Sequence, residues 1–263
     1  MRHVIIGAGA AGMTAARTIR ECEPDAEIVV ISEDDHVHSR CMLHKYLSHE
    51  RDEDTLNFTD PDFFESRDIT WVRGCSVEKI VPECKTLYLG SGGRVSYDRL
   101  LIATGAKSFI PPVGDFRNAS NVFGLRDLRD AQEIDNCARG AKEILIVGSG
   151  LVGMDAAYAF LEQGKKVTVV EMAERILPLQ LDETAGNAYR ELFESAGCRF
   201  ILGRKASETK MDGSGRITSV LLDDGTEIGC DLVIVAAGVR AAVGFLEDSG
   251  IQAERAVTVD GCL

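Results

Sequence analysis

Two α/β units in tandem, each a central parallel sheet wound with helices and carrying a small β-meander, are predicted by three features of the sequence. The first is the opening stretch from His3 to Gly12, HVIIGAGAAG, an apolar run followed by a glycine-punctuated turn and a helix-forming segment. The second is its restatement at Glu143 to Gly153, EILIVGSGLVG. The third is another matched pair, DRLLIATG from Asp98 to Gly105 and DLVIVAAG from Asp231 to Gly238. Repetition of three elements in the same order marks a duplicated supersecondary unit, and carries more weight than any single glycine motif.

In the first unit, Val4 to Ile6 read as a buried strand, and the glycines that follow have separate tasks. Gly7 permits a tight turn, Gly9 lets the backbone approach a pyrophosphate, and Gly12 lets helix and strand pack closely. The helix opening at Ala10 and Ala11 then presents unpaired N–H groups and a partial positive charge to phosphates. A second apolar run, Ile28 to Ile31, leads to Glu33, a carboxylate placed to accept hydrogen bonds from a ribose diol. Thr59 to Asp62 is expected to open a helix with Asp60 as its N-cap and Pro61 in its first position. The acidic stretch Glu50 to Asp54 reads as solvated surface. Short β segments punctuated by Gly and Asp run from Trp71 to Val95, and Phe109 to Gly114, with two prolines, reads as an extended linker.

The second unit follows the same plan. Gly148, Gly150 and Gly153 punctuate the turn, Leu151 and Val152 open the helix, and the strand Val167 to Val170 ends in the acid Glu171. A carboxylate there pairs with a free 2′-hydroxyl and repels a 2′-phosphate, which predicts NADH over NADPH, with Arg175 four residues on softening the preference. Short β segments again occupy Arg199 to Ile228. The units are thus Rossmann-like dinucleotide-binding domains, and two such sites on one chain suggest two cofactors that exchange a hydride.

Bulk properties exclude several other classes. The 45% hydrophobic and 27% charged composition is that of a globular protein, and no apolar run approaches the roughly 18 residues of a membrane span. A formal net charge of −13 argues against nucleic acid, because phosphate backbones reward basic surfaces. The 8 cysteines are scattered without a CxxC, which predicts no iron–sulfur or zinc ligand set and a reduced, cytoplasmic setting. His36, His38 and His44 with Cys41 fit no common metal spacing, so no metal is expected.

Taken together, GAGAAG at 7–12, LLIATGA at 100–106, the PP linker, VFGLRDLRDA at 122–131, GSGLVG at 148–153 and VIVAAGV at 233–239 resemble the FAD- and NAD(P)H-dependent pyridine nucleotide oxidoreductases. The nearest branch holds the ferredoxin reductases, the rubredoxin reductases and the flavodomains of NADH-dependent nitrite reductases. The resemblance implies FAD at the first glycine motif together with Ala103, Thr104 and Gly105, and the nicotinamide nucleotide at the second together with Gly238. It implies an FAD-binding domain over 1–110 plus a return segment at 241–263, cut short after Ala256 to Asp260, and an NAD(H)-binding domain over 111–240. Residues 39–45 resemble the family's RPPLSK stretch, which implies Arg40 at the adenylate end of FAD and Lys45 beside the isoalloxazine. Asp155 stands where the family has a Glu that reaches the lysine, and implies a Lys45–Asp155 pair. Cys41 stands where related NADH oxidases and disulfide reductases carry one redox-active cysteine, although a buried, inert thiol is the reading favoured by Cys-Met-Leu in place of their Cys-Gly-Leu. The implied activity is hydride transfer from NADH to flavin, then electron transfer to a protein or small acceptor such as rubredoxin, ferredoxin or a nitrite reductase centre. A single-cysteine NADH oxidase or disulfide reductase, and a nucleotide-binding fragment without turnover, stand as alternatives; a homodimer stays open.

Overall fold

The computed structural model describes residues 1–261; Cys262 and Leu263, the end of the expected return segment, lie outside the described residues. The chain forms two compact units. The first comprises Met1–Ser39, Glu53–Lys107 and the chain from Arg240 onward, and the second Arg40–Asp52 and Ser108–Val239.

In the first unit, β1 (Arg2–Ile6), α1 (Ala10–Cys22) and β2 (Glu27–Ile31) come first. The chain then contributes α2 (Leu43–Leu47) to the second unit. It returns through α3 (Phe63–Ser66) and β3 (Ile69–Val72), then a meander of β4 (Val77–Val81), β5 (Thr86–Leu89) and β6 (Arg94–Ser96), then β7 (Arg99–Ile102) and β8 (Ala106–Ser108). The parallel sheet runs β3-β2-β1-β7, with Ile5 opposite Val30 on one side and Leu101 on the other. Side chains of successive strand residues point to opposite faces, so a sheet covered on both faces is apolar throughout. Val4, Ile6, Val29 and Ile31 face the meander residues Ile80, Leu87 and Leu89. Ile5, Ile28 and Val30 face Met13 and Ala16 of α1 and Phe63 of α3.

The second unit repeats the scheme. It holds β9 (Val122–Phe123), α4 (Leu128–Ala138), β10 (Glu143–Val147), α5 (Leu151–Glu162), β11 (Lys166–Val170), α6 (Glu183–Ser195) and β12 (Arg199–Ile201). A meander of β13 (Ala206–Met211), β14 (Ile217–Leu222) and β15 (Glu227–Gly229) precedes β16 (Leu232–Val235); β17 (Val239–Ala241) follows, and within it the chain passes back to the first unit at Arg240. The parallel sheet runs β12-β11-β10-β16-β9, and β8 and β17 are hydrogen-bonded neighbours. Leu145, Val170, Val233 and Val235 face Ile217, Val220 and Leu222 of the meander.

Three local expectations change. The helix expected from Pro61 begins at Phe63, after Asp62, and Asp60 instead forms an ion pair with Arg67 at 3.0 Å. The stretch Phe109 to Gly114 is no free linker, because Ile110 and Val113 pack on the core of the second unit, which starts at Ser108. Residues 40–52, placed by the sequence with the first domain, belong to the second unit, because α2 buries Leu43 and Leu47 and packs against α4 and α5. Of the return segment, Leu246 is buried in the core under β4 and β5, and Thr104 Oγ1 donates to the carbonyl of Ala242 at 2.9 Å.

Candidate functional site

Each glycine turn is built by the same contacts. Gly7 has φ +111°, its N–H donates to the carbonyl of Ile31 at 2.7 Å, and a Cβ on it would run into the carbonyl of Ala103. Gly148 has φ +106°, its N–H donates to the carbonyl of Val170 at 2.8 Å, and its Cβ would run into the carbonyl of Ala236. Cβ atoms on Gly12 and Gly153 would strike the carbonyls of Gly7 and Gly148, so only glycine lets these helices start so close to their strands. Cβ atoms on Gly9 and Gly150, by contrast, would meet nothing. The chain is open there, at the N-caps of α1 and α5, where no side chain caps the helix. Free N–H groups beside unobstructed backbone are what a pyrophosphate needs.

The acids that end the second strands differ. Glu33 is exposed and pairs with Lys107 at 3.1 Å. Glu171 is held by the chain: Oε2 accepts from the N–H of Ser149 at 2.7 Å and from its hydroxyl at 2.9 Å, and Oε1 accepts from the N–H of Ala173 at 2.9 Å. The Arg175 guanidinium donates to the carbonyl of Pro178 at 2.9 Å.

The 40–52 stretch contains a polar cluster that the sequence outlined incompletely. The Lys45 ammonium is 2.8 and 2.9 Å from the two carboxylate oxygens of Glu50, 3.3 Å from the Tyr158 hydroxyl, and 4.7 Å from the centre of the Tyr158 ring. Glu50 also accepts from the Ser48 hydroxyl at 2.8 Å. These bonds raise the lysine's pKa and lower that of the carboxylate, the Lys45–Glu50 bond being the largest cause in each. Asp155, expected to pair with Lys45, instead lies 3.6 Å from His44 Nδ1. Its shorter side chain on α5 meets the nearer histidine, while Glu50, read as mere surface, supplies the lysine's counter-charge. Burial raises the Asp155 pKa, opposed in smaller measure by His44 and Lys45. Tyr158, one turn after Asp155 on α5, belongs to no motif in the sequence.

Arg40 donates to the carbonyl of Arg126 at 3.0 Å. Cys41 is a free thiol and is exposed, against the expectation of burial, because it sits in the short turn Arg40–Met42 ahead of α2 rather than on the helix's packed face. The histidines take separate partners: His36 pairs with Asp35, His44 with Asp155, and His49 with Asp135.

Two parallel-sheet units, each with an open glycine cradle where the first strand meets the first helix, define a double dinucleotide-binding fold. The chain belongs to the pyridine nucleotide-disulphide oxidoreductase family, whose model matches residues 1–262. It is 30% identical over 263 residues to the ferredoxin–NAD(+) reductase component of 3-phenylpropionate/cinnamic acid dioxygenase from Photorhabdus laumondii, covering 98% of this chain and 65% of that protein. It is 30% identical over 259 residues to the nitrite reductase [NAD(P)H] of Bacillus subtilis, covering 98% of this chain and 32% of that one. Among solved structures, a ferredoxin reductase from Rhodopseudomonas palustris superposes with a TM-score of 0.91 at 28% identity, over 98% of this chain and 64% of that one. The chain thus spans less than two thirds of each of these relatives. FAD and NAD(P)H are the nucleotides of this family, and the openness at Gly9 and Gly150 fits their pyrophosphates. Among the described residues, no helix is long and apolar enough to cross a membrane.

Proposed function

We propose that this chain carries the nucleotide-handling part of an NADH:acceptor flavoprotein oxidoreductase. The first cradle, Gly7 to Gly12 with Ala103 to Gly105, takes FAD, and the second, Gly148 to Gly153 with Glu171 and Gly238, takes NADH. A bound flavin would supply the chemistry, taking up one hydride, which carries two electrons, and giving those electrons to the acceptor. The chain's own residues bind and orient: main-chain N–H groups at α1 and α5 hold phosphates, and Glu33 and Glu171 are the acceptors for ribose hydroxyls. The observation that carries this reading is the twofold cradle, in which equivalent carbonyls, Ala103 and Ala236, demand glycine at equivalent positions. A redox electron-carrier protein is the favoured acceptor, by analogy with the Photorhabdus reductase component.

The test is optical. The chain purified with added FAD should show the flavin's visible band, and NADH added without oxygen should bleach it, with reoxidation on adding ferredoxin or rubredoxin. A chain that binds NADH yet never retains or reduces flavin would overturn the reading in favour of a nucleotide-binding module.

A further inference from the structure

The hydrogen bonds around Glu171 use up most of its capacity. An ionised carboxylate offers about four acceptor positions on its two oxygens. Oε2 spends both of its positions on Ser149, one on the N–H at 2.7 Å and one on the hydroxyl at 2.9 Å. Oε1 spends one on the N–H of Ala173 at 2.9 Å. Ser149 itself is fully buried, and its carbonyl accepts from the N–H of Leu177 at 3.0 Å, so it has no freedom to follow a moving partner. The carboxylate is therefore clamped at the end of β11, with a single acceptor position left on Oε1.

We propose that Ser149 sets the coenzyme choice of the second cradle by clamping Glu171, leaving it able to accept one adenosine ribose hydroxyl and unable to turn away from a 2′-phosphate. The inference rests on the second cradle being the NADH site. A free carboxylate on a flexible side chain can rotate out of the way of an incoming phosphate, which weakens its power to reject it; a clamped one keeps its charge where the phosphate must go. Arg175, the cation four residues on that would soften such a rejection, donates to the Pro178 carbonyl. Ser149 thus acts through Glu171 and is a positioning residue.

Dissociation constants of NADH and NADPH measured on the full chain, by quenching or calorimetry, test this without turnover. The wild type should prefer NADH, and Ser149→Ala should lower the NADH:NADPH preference about tenfold, the loss of one hydrogen bond to a charged group. Ser149→Cys, close in volume and lacking the strong hydroxyl donor, should lower it in the same direction and guards against misfolding of the first variant. In the background of Glu171→Gln, adding Ser149→Ala should change the ratio no further, because the two residues act as one unit. An unchanged ratio in both serine variants, with the wild type still preferring NADH, would overturn the inference alone. A wild-type chain that binds neither nucleotide would overturn the coenzyme reading and the inference with it.

Discussion

At the scale of single residues, the difference between Lys45 and Asp155 shows what side-chain length decides. The family resemblance implies that the two pair, and both lie in the second unit; but contact distance is settled by reach, and Glu50 reaches Lys45 where Asp155 meets His44. The family resemblance implies Lys45 as the cation of the flavin step. Lys45→Met should therefore slow NADH-dependent flavin reduction about 10²- to 10³-fold, as removal of one transition-state charge contact does. Stopped-flow at the flavin band measures it, and a wild-type rate would leave Lys45 a structural cation held by Glu50. Thiols divide by environment in a similar way. Burial pushes the Cys198 and Cys230 thiols up to about 12, whereas Cys22, Cys41 and Cys84 are exposed. The thiolate is the reacting form, so native-state alkylation should label the exposed three and spare Cys198 and Cys230 until the chain unfolds. Mass spectrometry reads this directly, and labelled Cys41 with undiminished flavin reduction would remove the single-cysteine mechanism.

At the scale of elements, α4 carries a cost that its sequence conceals. Asp127 caps the helix by accepting from the N–H of Asp130 at 3.0 Å, while the Asp130 carboxylate accepts from the N–H of Arg126 at 2.7 Å and that of Asp127 at 3.4 Å. Burial, reinforced by the neighbouring Asp127, nevertheless pushes the Asp130 pKa up to about 6 from its ordinary 3.8. The folded chain then holds a proton between those values that the unfolded chain has lost. Stability falls as pH rises from about 4 to about 6 and stays lower above, by roughly 1–3 kcal/mol. Asp130→Asn, which keeps an oxygen acceptor for both N–H groups, should flatten that slope and stabilise the second unit at neutral pH. Urea unfolding on both sides of the window checks it; an unchanged slope would assign the pH dependence elsewhere. The elements themselves are largely legible, since a short apolar run such as Ile144 to Val147, stopped by a glycine turn, fits a strand covered on both faces. The short helix α3 starts two residues later than the sequence predicts, because an Asp-Pro pair signals a turn as readily as a cap.

At the scale of the whole molecule, duplication was the strongest signal, because it joins glycines to carbonyls far away in sequence. Gly7 and Gly148 have no meaning without Ala103 and Ala236, and those pairs are visible in the sequence only as a repeated order of motifs. The placement of residues 40–52 was not legible in this way. Nothing local distinguishes a helix that packs on α4 and α5 from one that packs on its sequence neighbours, since Leu43 and Leu47 suit either core. The duplication also makes the two cradles separable by mutation. Gly7→Ala should lose FAD while NADH binding persists, and Gly148→Ala should do the reverse, each losing tenfold or more in affinity for its own nucleotide, about 1.4 kcal/mol or greater. Titration of each variant with both nucleotides tests this, and joint loss in either variant would mean that the units do not bind independently.

The pairing of β8 with β17 makes Ser108–Val239, the larger part of the second unit, an insert in the language of genes, whereas Arg40–Asp52 of the same unit is coded separately, upstream. Lys107 and Arg240 stand at the ends of a stretch of coding sequence that leaves the first unit through one strand of the ribbon and comes back through the other. Splicing a different insert between those strands takes away the α4 and α5 on which α2 packs, so a new insert must offer Leu43 and Leu47 an equivalent surface. A change of coenzyme preference by recombination therefore has to keep two separate stretches of coding sequence compatible, whereas a point mutation touches one.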